Sequence, residues 1–414
     1  MKMKNIIITI AALSSILGGS FIHAADIGIG VFLDRPFYSV DQPIDFYISG
    51  FNRDTNAEVV DVHVGVIDGN GSIYEYPNWN QNLVPWLSSF VLPANFKLPV
   101  TLLGNLNNFP GGLKPGSYHL VVAFTSPNTL DILSFNKVAF KVINMNGTLT
   151  NGGIQLSRAN GGSQPILNIE VGPEILEIIK TQTIPLTVGQ AAFHREKLPS
   201  NFKEEIDKIY TNIEQCKFSE LPFENPVGID AGSSLSLNSS MVGSIVLEKI
   251  DNNDIGYGNF FIADSFYQAG QSYTVLSNGS ADIPAFSVTT VAPKEIFVTQ
   301  PSTFLTNVDS SQDFVIQWQG NDGVGEIDIL LSGVNESGTA HSISCRVADD
   351  GELAIPSELL VQLRDAVTLT NFFGEQVNAT LSFGRSQFEF INNDDKDITM
   401  FSISQVSGLS LIIK

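Results

Sequence analysis

The sequence predicts a mostly β protein, made of tandem antiparallel β-sandwiches with one short amphipathic helix between them, and three observations carry that expectation. Apolar and polar residues alternate over many short stretches, the pattern of strands with one buried face. Gly and Pro, 35 and 19 among 414 residues, break the chain at intervals suited to tight turns. Hydrophobic residues reach 43% while charged ones are only 16%, enough apolar material for a core in each of about two or three domains.

The chain opens with a leader. Lys2 and Lys4 precede an apolar run from Ile6 to Leu17, which gives way to small residues at Ala24 and Ala25. This is the pattern of a secretory signal peptide over residues 1–25, cut after Ala24 or Ala25. The run is too short to span a membrane, and no later stretch is long and apolar enough. The expected protein is therefore exported, to the periplasm, the cell surface or the outside, with no membrane span. The formal charge of −21 becomes about −23 without the leader lysines. With Lys+Arg at 22 against Asp+Glu at 43, no basic stripe is available for nucleic acid. An acidic surface suits cationic partners or divalent ions, and it also simply keeps an exported protein dissolved.

An N-terminal sandwich is expected over residues 26–143. Val60, Val62, Val64 and Val66 share one face of a strand, with Asp61, His63 and Ile67 on the other; Asp68-Gly69-Asn70-Gly71 then turns the chain into Ser72–Tyr76. Lys114-Pro115-Gly116 turns into a second strand with Tyr118, Leu120, Val122 and Phe124 on one face, and Lys137–Val142 closes the domain. Residues 144–165, rich in Asn, Gly, Ser and Thr, read as a linker.

A connecting segment, residues 166–215, holds the helix. Asn201 and Glu204 form a capping pair, and Phe202, Ile206, Ile209 and Ile213 fall on one face of a helix over about 201–214. A second sandwich is expected over 216–292, where Ala269-Gly270 before Tyr273 repeats the turn-then-Tyr order of Pro115-Gly116 before Tyr118. A third, over 293–414, contains the strands of Phe314, Ile316 and Trp318, of Ile327, Ile329 and Leu331, and of Ile343, Cys345 and Val347, with a short helical turn at 355–360.

The stretches VDVHVGVIDGNGSIY, PWLSSFVLP and KPGSYHLVVAF in the first half, and IDAGSSLSL, QSYTV, FVIQWQG and SCRVADDGELAIPSELL in the second, resemble a loosely defined group of exported bacterial proteins with immunoglobulin-like sandwiches. The resemblance spans most of the mature chain and implies tandem immunoglobulin-like domains and export. It rests on turn and core signatures and implies no activity or catalytic residue.

Motifs of known chemistry are missing: the zinc-protease, nucleophile-elbow, phosphate-loop and paired-cysteine patterns are all absent, and no cofactor is expected. His63, His119, His194 and His341 stand at no ligand spacing and read as surface histidines. Asp230-Ala231-Gly232-Ser233 lacks the second copy that a carboxylate pair would need and reads as a turn. Asp251–Asp254 and Asn392–Asp397 offer oxygen ligands for calcium, but neither matches a calcium-binding loop, and such residues also favour turns.

Two features remain. Tyr74, Tyr76, Trp79 and Trp86 lie close together among Asn78, Asn80, Gln81 and Asn82, a mix that suits sugar stacking, a protein contact, or a plug at the end of a sandwich. Cys216 and Cys345 are an even pair in an exported chain, and Cys345 has buried parity, so a disulfide is expected, with two inert thiols as the alternative. The leading expectation is a non-catalytic interaction, adhesion or scaffold protein of the envelope or extracellular space, with a protein or glycan partner and an open oligomeric state. The alternatives are a carbohydrate-binding module using loop 74–86 and an enzyme whose active site assembles from distant residues.

Overall fold

The computed structural model describes residues 26–40, 42–143, 148–159, 186–197, 211–221, 228–252, 254–302, 305–319, 325–367, 369–370, 376–391 and 396–414. The expected signal peptide, residues 1–25, lies outside the described residues. Three hydrophobic clusters organise the described chain into domain 1 (residues 26–143), domain 2 (from residue 148 to 292, apart from one strand) and domain 3 (to residue 414). The fold is mostly β, in sandwiches that follow one another along the chain.

Domain 1 contains β1 (Ile27–Leu33), β2 (Phe37–Ser39), β3 (Asp45–Asn52), β4 (Glu58–Ile67), β5 (Ile73–Glu75), β6 (Leu87–Leu92), β7 (Phe96–Asn105), β8 (Gly116–Thr125) and β9 (Ile132–Ile143). One sheet runs β1-β3-β7 and the other β2-β9-β8-β4-β5, with β6 also on β4. The core forms because alternate residues face inward: Val60, Val62, Val64 and Val66 of β4 meet Tyr118, Leu120, Val122 and Phe124 of β8. Strand β2 joins β9 in parallel, while every other pairing in the two sheets is antiparallel. At the start of β8 the Tyr118 hydroxyl donates to the Lys114 carbonyl at 2.8 Å, the tyrosine corner of immunoglobulin-type sandwiches.

Domain 2 is made of β10 (Thr148–Ala159), β11 (Leu186–Lys197), β13 (Ser234–Ser239), β14 (Gly243–Asn252), β15 (Asp254–Ile262), β16 (Ser272–Ser277) and β17 (Phe286–Val291), in the order β10-β11-β15-β14-β13-β16-β17. It repeats the corner: the Tyr273 hydroxyl donates to the Phe266 carbonyl at 2.5 Å. The expected linker at 144–165 is corrected here, because 148–159 is an interior strand. Ile154 and Leu156 are buried, Arg158 reaches Thr187 and Asp264, and Gly152 makes room for a ring: a Cβ there would stand 2.3 Å from Phe193 Cδ1. A composition that read as flexible is used for close packing.

The strand β12 (Gln215–Leu221) falls between β11 and β13 in the chain but belongs to domain 3, where it pairs with β22 (Ala340–Ala348). A boundary at residue 216 is therefore corrected. Of the expected helix over 201–214, residues 201–210 lie outside the described residues, and Thr211–Glu214 are not helical. The helix found among the described residues is α1 (Ser357–Ala366), inside domain 3, where Pro356 precedes its first turn and Leu360 and Leu363 are buried.

Domain 3 also holds β18 (Val298–Gln300), β19 (Leu305–Val308), β20 (Phe314–Trp318), β21 (Glu326–Val334), β23 (Glu352–Ile355), β24 (Leu369–Thr370), β25 (Gln376–Val377), β26 (Ala379–Phe390) and β27 (Lys396–Ile413). Sheet β18-β20-β23 faces β27-β26-β21-β22-β12, with β19 joining β27 in parallel. This is the strand order of domain 1, including the parallel early strand on the last one.

Candidate functional site at the domain junction

The aromatic loop comes first because the sequence singled it out. Trp79 is only 2% exposed, and its ring meets Phe46, Tyr76 and Phe109 at centroid distances of 6.2, 5.4 and 5.9 Å. Trp86 packs on Tyr76 at 5.9 Å and Tyr74 on Phe109 at 4.8 Å. The four rings plug one end of the sandwich. Trp79 even adopts φ of 51°, a conformation that costs a non-glycine residue roughly 1–2 kcal/mol and that burial of the indole offsets. A ring without an open face cannot stack on a sugar, so the carbohydrate reading loses its central residue.

The four histidines expected at the surface are each partly buried. His63 lies on the outer side of β4, half-enclosed, with Nδ1 3.0 Å from Glu75 Oε1. His119 sits in an interdomain contact. His341 stacks on Phe218 at 5.9 Å and His194 bridges to Gly228. Asp230 is the expected turn: the Gly232 N–H, with Tyr257 and Lys249, holds its carboxyl below the usual range. Of the two acidic loops, Asn253 and residues 392–395 lie outside the described residues. Among the described residues no three potential metal ligands cluster.

Cys216 and Cys345 do form a disulfide. They are directly opposed on β12 and β22, so the bond clasps an edge strand that has crossed over from the domain 2 segment of the chain.

The junction itself centres on the tip of β26. Glu389 Oε2 is 2.5 Å from His119 Nε2, and Oε1 accepts from Lys137 Nζ; both partners belong to domain 1. Phe390 meets Phe37 of domain 1 edge to face at 5.3 Å. The Ile391 carbonyl accepts from Ser117 Oγ at 3.3 Å, while its side chain enters the core of domain 2. The Gln387 carbonyl accepts from Thr290 of domain 2. One strand end thus touches all three domains. Burial pushes the Glu389 carboxyl up, but the bond to His119 and the charges of His119 and Lys137 outweigh it, and the net direction is down.

A second polar contact lies alongside. Arg346 on β22 clamps Glu326 through Nε at 2.8 Å and Nη2 at 2.5 Å, and its Nη1 donates to the Asp34 carbonyl of domain 1 at 2.7 Å. Burial raises Glu326 to about 7 against the pull of Arg346. Between these contacts, Phe32, Tyr47 and Val100 of domain 1 pack on Ile213 and Ala348.

Domain 2 is joined to domain 3 in another way. Strand β10 runs parallel to β27 from Thr150 beside Lys396 to Ala159 beside Gln405. The backbone ladder of one sandwich therefore continues into the next.

No family model matches the chain, and no curated protein matches it. Among solved structures, it is similar to the three N-terminal domains of the bacteriophage RB49 Highly Immunogenic Outer Capsid protein (Hoc), with 8% identity, 94% of this chain and 99% of that chain covered, and a TM-score of 0.18. It is also similar to Escherichia coli alpha-2-macroglobulin activated by porcine elastase, with 8% identity, 94% of this chain and 35% of that chain covered, and a TM-score of 0.17. The architecture described above rests on this chain's own strand order.

None of the junction residues was a site candidate in the sequence except His119, read there as a surface group. The visible signal was Glu389 alone between Phe388 and Phe390, an acid in an apolar strand end.

Proposed function

We propose that the protein is a non-catalytic interaction scaffold of the cell envelope or the outside, as its leader and disulfide suit. The observation that carries this is the β26 tip, which draws three sandwiches into one closed body and holds their surfaces at set spacings, as presentation to a partner requires. The presenting face is the outer side of the larger domain 1 sheet. One end of it, with Ser117, His119 and Lys137, is docked on domain 3. The other end leaves Val59, Val91 and Phe135 between 41% and 54% exposed. Val59 and Val91 are directly opposed on β4 and β6, and paired apolar side chains open on a surface suit a protein contact, while the chain's acidity favours a cationic partner.

The test is co-sedimentation of the mature chain with envelope preparations from the exporting cell. The wild type is expected to bind, and Val59→Asp with Phe135→Asp, both at exposed positions, to lose binding without a change in melting temperature. Equal binding by both chains, or binding by neither, overturns the reading.

A further inference from the structure

We propose that the contact of Glu389 with His119 and Lys137 is an acid-released latch, which holds domain 1 on domain 3 at neutral pH and frees it on acidification. The proposal rests on the closed arrangement of the domains and not on any partner, so a failed envelope-binding test leaves it standing.

Three features of the seam support it. Among the described residues no strand of domain 1 pairs with a strand of domain 2 or 3. Among the described residues the seam's apolar part consists of small groups: Phe32, Tyr47 and Val100 on Ile213 and Ala348, the Phe37–Phe390 pair, and Val31, Val138 and Ala139 lining a groove with Phe388. Glu389 brings one carboxylate, its side chain 17% exposed, against the Lys137 ammonium and the His119 imidazole on two adjacent strands of domain 1. Partial burial strengthens such pairs, and loss of one partner leaves the others desolvated without compensation.

Among the described residues, the charged groups at this contact are His119 from β8, Lys137 and the buried Lys141 from the same face of β9 and, in the same groove, Glu326 with Arg346 and Asp328 from β21 and β22. The two carboxylates act with opposite sign. Glu389 is held down in the docked state, so its contribution is present above the ordinary carboxylate pKa of about 4.3 and is lost as pH falls through its lower docked value. Glu326 is raised to about 7, so docking becomes easier as pH falls toward its unperturbed value. Release therefore belongs to the acid limb and to Glu389. It would uncover Ala139, which lies between His119 and Lys137 and is 5% exposed, and lengthen the open apolar face of domain 1.

The test is small-angle scattering of the mature chain from pH 7.5 to pH 3.5, with circular dichroism beside it. The wild type is expected to expand below about pH 4.3 with its β signal kept. Glu389→Gln, which keeps the shape and removes the charge, is expected to be expanded already at pH 7.5 and to show no acid step. Amide exchange at pH 7.5 should then speed up in β8 and β9 of the variant, near His119 and Lys137, and stay slow in β4. A Gln variant as compact and as protected as the wild type at pH 7.5 overturns the proposal, as does a wild type unchanged to pH 3.5. Should the wild type lose its β signal in acid, the comparison of the two chains at pH 7.5 decides alone.

Discussion

The two joints of domain 3 are made of different material. Toward domain 2 the joint is backbone: β10 lies in the same sheet as β27, and β12 crosses over and is clasped by Cys216–Cys345. Toward domain 1 it is side chain: Glu389 with His119 and Lys137, Arg346 on a carbonyl, and a few apolar contacts. Ladder hydrogen bonds carry no net charge and are indifferent to salt and pH over the ordinary range. Ion pairs at a half-open seam are screened by salt and titrate. Two neighbours of one domain can therefore be held with very different responsiveness, even though domains 1 and 3 share a strand order.

The largest effect is expected from breaking the covalent part of the backbone joint. Cys216 and Cys345 are 129 residues apart, and closing a loop of that length contributes up to about 5 kcal/mol in the entropic view. Replacing both by Ser should lower the midpoint of the domain 2–3 transition in a denaturant melt and leave that of domain 1 in place. A shift of both transitions together would show that the two joints are not independent.

Next is the polar joint. Arg346→Met leaves Glu326 buried without its partner, a change that costs about 4 kcal/mol when a buried pair is broken. The loss should be greatest at alkaline pH. A carboxyl whose folded pKa is raised favours the folded state below its unfolded pKa, and this advantage disappears as pH rises through the folded value. Melts at pH 5 and pH 8 check this, and an equal loss at both would contradict the assignment of Glu326 as the stranded group.

Trp79→Ala should cost about 3 kcal/mol or more, because the cavity left by the indole is not offset by any backbone relief for Ala at the same positive φ. This loss should appear in the domain 1 transition only, read by tryptophan-independent circular dichroism. The smallest effects, about 1 kcal/mol per hydrogen bond lost, are expected from Tyr118→Phe, which removes the donation to Lys114, and Tyr273→Phe, which removes the donation to Phe266 and the bond accepted from the Gln268 N–H. Parallel losses in domain 1 and domain 2 would confirm that the corners are equivalent; a loss at Tyr273 alone would separate them.

How far the sequence could be read depended on how local the cause was. The valines of β4 and the partner turn at Asp68–Gly71 were legible because a period of two is a property of neighbours. The repeated turn-then-Tyr order was visible too, although its meaning as two corner bonds to Lys114 and Phe266 was not. The disulfide followed from compartment and parity. Strand β10 was missed because Asn151, Gly152 and Gly153 look like linker material, and only the Phe193 ring shows why a glycine stands there.

What the sequence by itself determined was the material of the sandwiches: which residues turn inward, where the chain turns, and that acidic residues outnumber basic ones. The tertiary structure decided which edges join. It sent β12 across to β22, set β10 beside β27, buried Trp79, and brought His119 to Glu389 over 270 residues of separation. The physical reason is range. Strand patterning and turns are settled over a few residues, whereas an edge or a charge takes its partner from whatever the packed cores leave within reach.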